Sequence, residues 1–219
     1  ELKRVRVDPT TALELPYASP PDWSAALNLN TLLQTPVVAP ALDTDNPWFL
    51  NRKVVTRNAT GTAVPFRYAN LSASQLATLA PTATQQQKVV AYLRGGSTFG
   101  NGPTPQVIEG TNIGQFRKRL SKLGDLSNSK PVVIGKPNNS WSDSTDPGYS
   151  AFKTAQAGRS MRVFVGSNDG MLHAFNASPD AAAGGGGEVW AYVPRMIMSN
   201  LHQLANDDYS NNHKFFVDG

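Results

Sequence analysis

Residues 162–194, which read RVFVGSNDGMLHAFNASPDAAAGGGGEVWAYVP, limit the fold of this chain most strongly. Three short apolar runs, at 162–166, 171–175 and 188–193, have the length and the β-branched or aromatic content of strands. Between the first two, Asn168-Asp169-Gly170 favours the positive φ angles of a primed turn, which predicts a tight hairpin. An antiparallel meander of short strands with small residues at its corners is how one blade of a β-propeller is built.

The composition agrees with a loop-rich, mainly β protein. Gly and Pro contribute 18 and 16 of the 219 residues, and only 16% of the residues are charged. This argues against a helical bundle or a coiled coil. The lack of cysteine excludes disulfides, thiolate metal sites and cysteine nucleophiles. No run of about 18 apolar residues occurs, so no membrane span is expected in this segment.

The rest of the chain alternates strands, short helices and loops. Strands are predicted at 1–7, 52–57, 63–68, 131–135 and 214–217. Helices are predicted as one turn at 22–27 capped by Asp22, and at 72–79, 85–93 and 196–205. A flexible loop is expected at 97–114 and a polar loop at 138–148. The strand at 131–135 is expected to be buried because Val132, Val133 and Ile134 are β-branched.

Basic residues cluster at one place only, in Arg117-Lys118-Arg119 with Lys122, and the net charge is +4. A short cluster of this kind is typical of a solvated helix face, so nucleic acid is not expected as a partner. Pairing of these side chains with acidic groups of a neighbouring segment or of a partner is the alternative. Asp125 is expected to cap a turn.

One acidic tetrapeptide and the three histidines contain residue types that can bind metals. Asp43-Thr44-Asp45-Asn46 lacks the alternating ligands, the glycine and the later bidentate acid of a calcium loop, so an exposed Asx turn is predicted. His173, His202 and His213 form no HxH or HxxxH pair. His173 lies between Leu172 and Ala174 on a strand and is expected to be a packed or edge histidine. No catalytic, cofactor-binding or metal-binding residue is nominated.

Glycine-rich and aromatic segments have structural explanations. The run from Gly184 to Gly187 lacks the Lys-Ser/Thr and the helix start of a phosphate loop, so a flexible blade loop is predicted. Core packing between blades, rather than a stacking platform for nucleic acid or glycan, is favoured for the aromatic series Trp190, Tyr192, Phe215 and Phe216.

Several motifs in order resemble one family. Residues 163–175 followed by Trp190-Ala191-Tyr192-Val193-Pro194 closely resemble a blade of the PilC/PilY-type type IV pilus tip-associated adhesins and biogenesis factors. Further similar segments are Leu2-Lys3-Arg4, Asn70-Leu71-Ser72, Tyr92-Leu93-Arg94-Gly95, Phe116-Arg117-Lys118-Arg119, Leu123-Gly124-Asp125-Leu126, Asn128-Ser129, Pro131-Val132-Val133 and Phe215-Phe216-Val217-Asp218-Gly219.

The resemblance implies a mainly β, modified and quinoprotein-like β-propeller, partial in this chain, with short helical insertions. The expected division is an initial strand at 1–9, a loop- and helix-rich insertion at 10–115, the first well-formed blade at 116–194 and a connection to the next blade at 195–219. Because the 162–194 pattern does not recur and repeats need neighbours, we expect the opening part of a longer propeller.

The resemblance also implies function. Proteins of this family are exported to the outer membrane surface and pilus tip, where they promote pilus assembly, twitching motility and attachment. Expected partners are pilus tip and minor pilin subunits and a host or abiotic surface, without enzymatic activity. Calcium is implied for the parent protein, whose family has an Asp/Asn loop in a later blade, but no cofactor is expected here. Arg94-Gly95-Gly96 stands where some relatives have Arg-Gly-Asp, so no integrin-type contact is inferred.

Two other functions use the same blade pattern. An exported quinoprotein-type dehydrogenase requires a central cation and residues that hold the quinone, and neither is discernible. A structural scaffold of an envelope complex requires no surface contact. Uncovered sheet edges in a partial propeller also lead us to expect self-association of the isolated chain, or burial of these edges against the rest of the parent molecule.

Overall fold

A computed structural model describes residues 2–4, 10–11, 23–34, 46–99, 106–110 and 116–218. Its strands are β1 Val54–Arg57, β2 Ala63–Pro65, β3 Thr98–Phe99, β4 Gln106–Val107, β5 Val132–Ile134, β6 Arg162–Ser167, β7 Met171–Asn176 and β8 Glu188–Val193. Six of them form one sheet in the order β2-β1-β8-β7-β6-β5, and β3 and β4 form a separate hairpin. The fold is therefore mainly β and the sheet is not closed on itself.

The predicted blade is confirmed as the antiparallel meander β5-β6-β7-β8. Ser167 pairs with Met171 across the β6–β7 turn, and Gly170 has the positive φ of +88° that the turn requires. Along β6 the buried residues Val163, Val165 and Ser167 alternate with partly exposed ones. The two-residue period expected for a strand with one covered face is thus present.

The β1–β2 hairpin joins this blade instead of standing apart from it. β1 pairs with β8 in parallel, with Val55 opposite Tyr192, and the Thr56 hydroxyl donates to the Val193 carbonyl at 2.8 Å. Parallel strands need a long crossover, and here 130 residues separate the two strands. The division of the chain into segments stays a prediction, but β1 and β2 share a sheet with the blade.

Several helices accompany the sheet. They are α1 Ala25–Gln34, α2 Pro47–Leu50, α3 Ala73–Leu79, α4 Ala83–Leu93 and α5 Tyr149–Ala155, with 3₁₀ helices at Tyr68–Asn70, Arg195–Ala205 and Asp207–Ser210. Buried side chains of β6, β7 and β8 form one core cluster with those of α1, α4 and the 3₁₀ helix Arg195–Ala205. None of the helices in the described ranges has the length and apolar character that a membrane crossing requires.

The two predicted helices at 72–79 and 85–93 are confirmed. Ser72 and Gln75 form a reciprocal capping box at the start of α3. Gly95, with φ +108°, follows the end of α4. The predicted turn at 22–27 is instead the longer helix α1, and its predicted cap Asp22 lies outside the described residues. The segment 196–205 is helical but 3₁₀, and α5 was not predicted.

Three strand and loop predictions were wrong. Val132, Val133 and Ile134 are 53%, 59% and 43% exposed, because β5 is an edge strand that nothing in the described residues covers. Residues 214–217 form no strand, and the loop predicted at 97–114 contains the β3–β4 hairpin. Of the strand predicted at 1–7, only Leu2 to Arg4 lie in the described ranges, and Lys3 forms an isolated bridge with Ser24.

Candidate functional site

Four ionisable side chains form a continuous line in the core, which we call the buried charge chain: Arg52, Glu188, His173 and Asp169. His173 Nδ1 lies 2.8 Å from Glu188 Oε1, and its Nε2 lies 3.0 Å from Asp169 Oδ1. Arg52 donates from Nε to Glu188 Oε2 at 2.9 Å and from Nη2 to Oε1 at 3.1 Å. His173 is fully buried, so the prediction of a packed histidine is confirmed.

The positive and negative charges of the buried charge chain balance. Burial alone would lower the pKa of His173, but the carboxylates of Asp169 and Glu188 raise it to about 9. Burial alone would raise the pKa of Glu188, but the Arg52 and His173 cations lower it to about 2. Two cations and two carboxylates therefore coexist at neutral pH, which offsets the cost of burying each charge. The buried charge chain thereby connects β7 and β8 to the segment that precedes β1.

The β6–β7 turn contains Asp169, which is one end of the buried charge chain. This turn is hydrogen-bonded to the segment Leu123-Gly124-Asp125-Leu126. The Gly124 amide donates to Asp169 Oδ2 at 3.2 Å. The Asn168 amide group donates from Nδ2 to Asp125 Oδ2 at 2.7 Å, and its backbone N–H donates to the Asp125 carbonyl at 3.0 Å. Asp125, expected to cap a turn, accepts from the Ser127 hydroxyl as well. Two of the motifs that carry the resemblance are therefore in direct contact.

The basic cluster at 117–122 does not form a solvated helix face. Residues 117–122 are irregular, and Glu109 from a separate segment forms ion pairs with both Arg119 and Lys122. Arg119 also lies over the Tyr92 ring, 3.7 Å from its centroid, and Arg117 lies over Tyr209. Burial alone would raise the pKa of Glu109, but Arg119 and Lys122 lower it to about 2. The alternative of pairing with a neighbouring segment is the one observed.

Arg94, in the segment Tyr92-Leu93-Arg94-Gly95, is only 1% exposed. Its Nη1 donates to the Phe66 carbonyl at 3.1 Å. Its Nη2 lies 3.0 Å from each of the carbonyls of Trp48, Phe49 and Arg52. This guanidinium holds α4 to the two segments before it.

A groove of about 740 Å³ lies at one end of the blade, where β5 and β7 end and β6 begins. We call it the basic groove because Lys136, Arg159 and Arg162 line it and none of the described lining residues is a carboxylate. Arg159 is oriented by donation from its Nε to the Gly135 carbonyl at 2.6 Å. The Arg159 guanidinium lies 5.9 Å from the Phe152 ring centroid. The groove is therefore a positively charged feature that solvent and partners can reach.

An aromatic group, exposed at Phe152 and Trp141 and buried at Tyr149, approaches this groove at Phe152. Phe152 lies 6.1 Å from Tyr149, and Tyr149 lies 5.5 Å from Trp141, measured between ring centroids. The Trp141 ring is 54% exposed. Because exposed aromatic side chains next to polar ones are enriched at binding surfaces, this end of the blade is the better candidate for external contacts.

Other candidate residues have varied outcomes. Of Asp43-Thr44-Asp45-Asn46 only Asn46 is described, and it is buried before α2. His213 contacts Asp125 and Phe215, and no group of three potential metal ligands occurs in the described residues. His202 is exposed.

The glycine run from Gly184 to Gly187 packs closely instead of forming a flexible loop. A Cβ on Gly186 would lie 2.6 Å from the Trp23 ring, and the Trp23 indole N–H donates to the Ser178 carbonyl at 2.9 Å. The small residues here are required by the close approach of the indole. This packing was not predicted because Trp23, which contacts the glycine run, is far away in the sequence.

The aromatic series is only partly packed. Trp190 contacts Phe164 at 5.8 Å on the face of the sheet away from the core, and Phe216 packs against the core. Tyr192 is half-buried beside Trp190. Phe215 is 65% exposed, so the prediction of core packing is wrong for it.

A four-stranded antiparallel blade with its turn fastened by the Leu123–Leu126 segment indicates a β-propeller protein. Residues 123–219 match the family model described as the PilY1 beta-propeller domain. A Type IV pilus biogenesis factor PilY1 homolog from Xylella fastidiosa is 35% identical over 190 residues, which cover 84% of this chain and 14% of that protein. The Type IV pilus biogenesis factors PilY1 of two Pseudomonas aeruginosa strains, PAK and UCBPP-PA14, are 36% identical over 141 residues and 32% identical over 192 residues.

These matches identify the chain as a PilY1-type segment. The two Pseudomonas alignments cover 62% and 81% of this chain. The chain spans only 11% to 15% of the length of these three relatives. No solved structure matches the chain significantly.

Proposed function

We propose that this chain belongs to a type IV pilus biogenesis factor that also acts as a surface adhesin, through non-enzymatic binding by propeller loops. The observation that carries the proposal is the match of residues 123–219, which include the whole blade, to the PilY1 propeller model. The names of the three relatives supply the pilus biogenesis role. Export to the outer membrane surface or pilus tip, with pilus tip and minor pilin subunits as partners, belongs to the same proposal.

The basic groove supports the adhesive part of the proposal. Lys136, Arg159 and Arg162 present positive charge without a carboxylate among the described lining residues, and the exposed Phe152 ring lies near Arg159. Positive charge attracts acidic groups on a host or abiotic surface, and aromatic area adds contact energy at low entropic cost. Twitching motility follows from the pilus role.

The buried charge chain gives no support to a catalytic role for His173. His173 has both ring nitrogens engaged by carboxylates and no exposed surface, so no substrate reaches it. A general acid or base must lie within hydrogen-bond reach of the group that it serves. The competing function, an exported quinoprotein dehydrogenase, predicts dye reduction when quinone and calcium are added to the intact parent protein. Turnover in that assay would contradict the non-enzymatic proposal.

The test separates assembly from attachment. A strain that lacks the parent protein is complemented with wild type, with Lys136→Glu/Arg159→Glu, or with the control Lys118→Glu, an exposed charge change elsewhere. We expect the double variant to restore surface pili but to reduce attachment to an anionic surface several-fold, whereas the control restores both. Surface pili are counted and adherent cells are measured on the same cultures.

Two results would count against the proposal. If the deletion strain retains normal surface pili, the biogenesis role is wrong. If the deletion strain attaches normally while an assembly step fails, the parent protein is a structural scaffold of the envelope complex and not an adhesin.

A further inference from the structure

A second cavity, of about 310 Å³, lies between α2, the 3₁₀ helix Tyr68–Asn70 and α4. We call it the aromatic pocket. Trp48, Phe49 and Tyr68 give it aromatic walls, and Arg67, Arg94 and Gln87 contribute polar groups. Its size and its combination of apolar walls with a few converging polar groups are typical of small-ligand sites. It is separate from the basic groove, with which it shares no residue.

The aromatic pocket contains a buried cation without a counter-charge. Arg94 binds backbone carbonyls only, and no carboxylate in the described residues forms an ion pair with it. Its Nε is a buried donor for which the described residues offer no partner. Burial, together with the neighbouring Arg67 and Arg52 cations, lowers the pKa of Arg94 to about 9. Arg52, in contrast, forms an ion pair with Glu188, whereas Arg94 has carbonyl acceptors but no carboxylate partner among the described residues.

A second guanidinium reinforces the positive charge of this pocket. Arg67 lies over the Phe49 ring, 4.3 Å from the centroid, and the Arg94 guanidinium lies 5.8 Å from the same centroid. Arg67 donates from Nη2 to the Phe49 carbonyl at 3.2 Å, and no carboxylate in the described part of the chain pairs with it. Two cations and three aromatic rings thus share one cavity that has no negative group in its lining.

We propose that the aromatic pocket binds a carboxylate that is carried on a flat apolar group, such as an aromatic acid. A carboxylate supplies the charge that Arg94 and Arg67 lack and accepts from guanidinium donors in a favourable geometry. The flat group occupies the space between the aromatic side chains, where offset or edge contacts are favourable. A free aromatic acid and the C-terminal aromatic residue of a partner polypeptide have this chemistry in common. The proposal does not depend on the pilus function.

The first test measures binding to the 219-residue chain by calorimetry. Phenylacetate is the probe, with phenylacetamide as the neutral isostere and phenethylamine as the cationic one. We expect saturable binding of phenylacetate and at least about tenfold weaker binding of the other two, because charge-assisted hydrogen bonds are lost. Equal affinities for phenylacetate and phenylacetamide would overturn the proposal.

Variants locate the binding site. Arg67→Gln, which leaves the Arg94 contacts with backbone carbonyls in place, is expected to weaken phenylacetate binding about tenfold. Lys118→Gln, at an exposed position outside both the aromatic pocket and the basic groove, removes the same charge elsewhere and is expected to leave the affinity unchanged. Unchanged binding by Arg67→Gln, or equal weakening by both variants, would overturn the assignment to this pocket.

Gln87→Glu supplies an internal counter-charge and gives a readout that loss of folding cannot imitate. We expect it to raise the Tm and to weaken phenylacetate binding together, because the new carboxylate offsets the Arg94 charge. A lower Tm with unchanged binding would contradict the proposal. N-acetylphenylalanine distinguishes the sources: tighter binding than phenylacetate points to a C-terminal residue, and weaker binding points to a free acid.

Discussion

His173 Nδ1 lies 2.8 Å from Glu188 Oε1, although a regular ladder between β7 and β8 would place their side chains on opposite faces. His173 pairs with Ala191, and continuation of this register would put Glu188 opposite Asn176. A β-bulge between Ala174 and Phe175 shifts the register, so that Glu188 pairs with Phe175. Because a one-residue shift moves a side chain to the other face, the bulge brings the Glu188 carboxylate to the buried side beside His173.

The first prediction is that the free energy of unfolding is greatest between about pH 4.5 and 6.5. The pKa of His173 rises from 6.5 to about 9 on folding, so its contribution is complete below pH 6.5 and is lost as the pH rises through 9. The pKa of Glu188 falls from 4.5 to about 2, so its contribution is complete above pH 4.5 and is lost as the pH falls through 2. Urea unfolding at a series of pH values measures the profile.

The variant His173→Gln tests whether His173 causes the loss of stability at high pH. It removes the titrating imidazole, so the decline of stability between pH 6.5 and 9 should become shallower, whatever the absolute stability of the variant. A wild-type free energy of unfolding that increases from pH 6.5 to 9 would show that His173 is neutral in the folded chain.

The second prediction concerns Glu188→Gln, which keeps the shape of the side chain but removes its charge. Arg52 and His173 then stay buried but lose the carboxylate with which both of them pair. Loss of one partner of a buried ion pair costs about 3–5 kcal/mol. Asp146→Asn, at an exposed position, should change the free energy of unfolding by less than about 0.5 kcal/mol. Chemical denaturation at pH 6 compares the two; equal effects would mean that the buried charge chain is not a stabilising unit.

Elements that local chemistry determines were predictable from the sequence. The β6–β7 hairpin follows from Asn168-Asp169-Gly170, and α3 begins directly after Ser72 because this serine and Gln75 form a capping box. The exposure of Val133 was not predictable, because a β-branched strand is equally compatible with the centre and the edge of a sheet. Its burial depends on what lies beside it in space.

The candidate site depended on contacts between distant residues. Arg52 and Glu188 are 136 positions apart, and only the parallel pairing of β1 with β8 and the bulge bring them together. One signal was present in the sequence: Glu188 begins an otherwise apolar strand, where a carboxylate needs a buried partner. The pairing of Glu109 with Lys122 gave no such signal, since neither segment has a recognisable period.

The third prediction tests the contact between the Leu123–Leu126 segment and the hairpin turn. A Cβ on Gly124 would lie 2.4 Å from the Asp169 backbone nitrogen and 2.7 Å from the Ser167 hydroxyl, so Gly124→Ala must displace backbone. Such overpacking costs about 1–3 kcal/mol. Gly158→Ala is the control, because its Cβ would meet nothing within 4 Å. Denaturation midpoints that fall equally for both variants would contradict a specific role of this contact.

The fourth prediction is that the isolated chain self-associates through β5. Val132, Val133 and Ile134 are exposed, and β5 pairs only with β6 in the described residues, so its other edge offers free backbone groups to a second strand. Val133→Lys places a charge on this edge and should weaken association about tenfold, since edge lysines oppose strand pairing. Leu27→Lys, at an exposed position on α1, should leave association unchanged. Sedimentation velocity at several concentrations gives the association constants, and a wild-type chain that stays monomeric throughout would show that this edge does not pair.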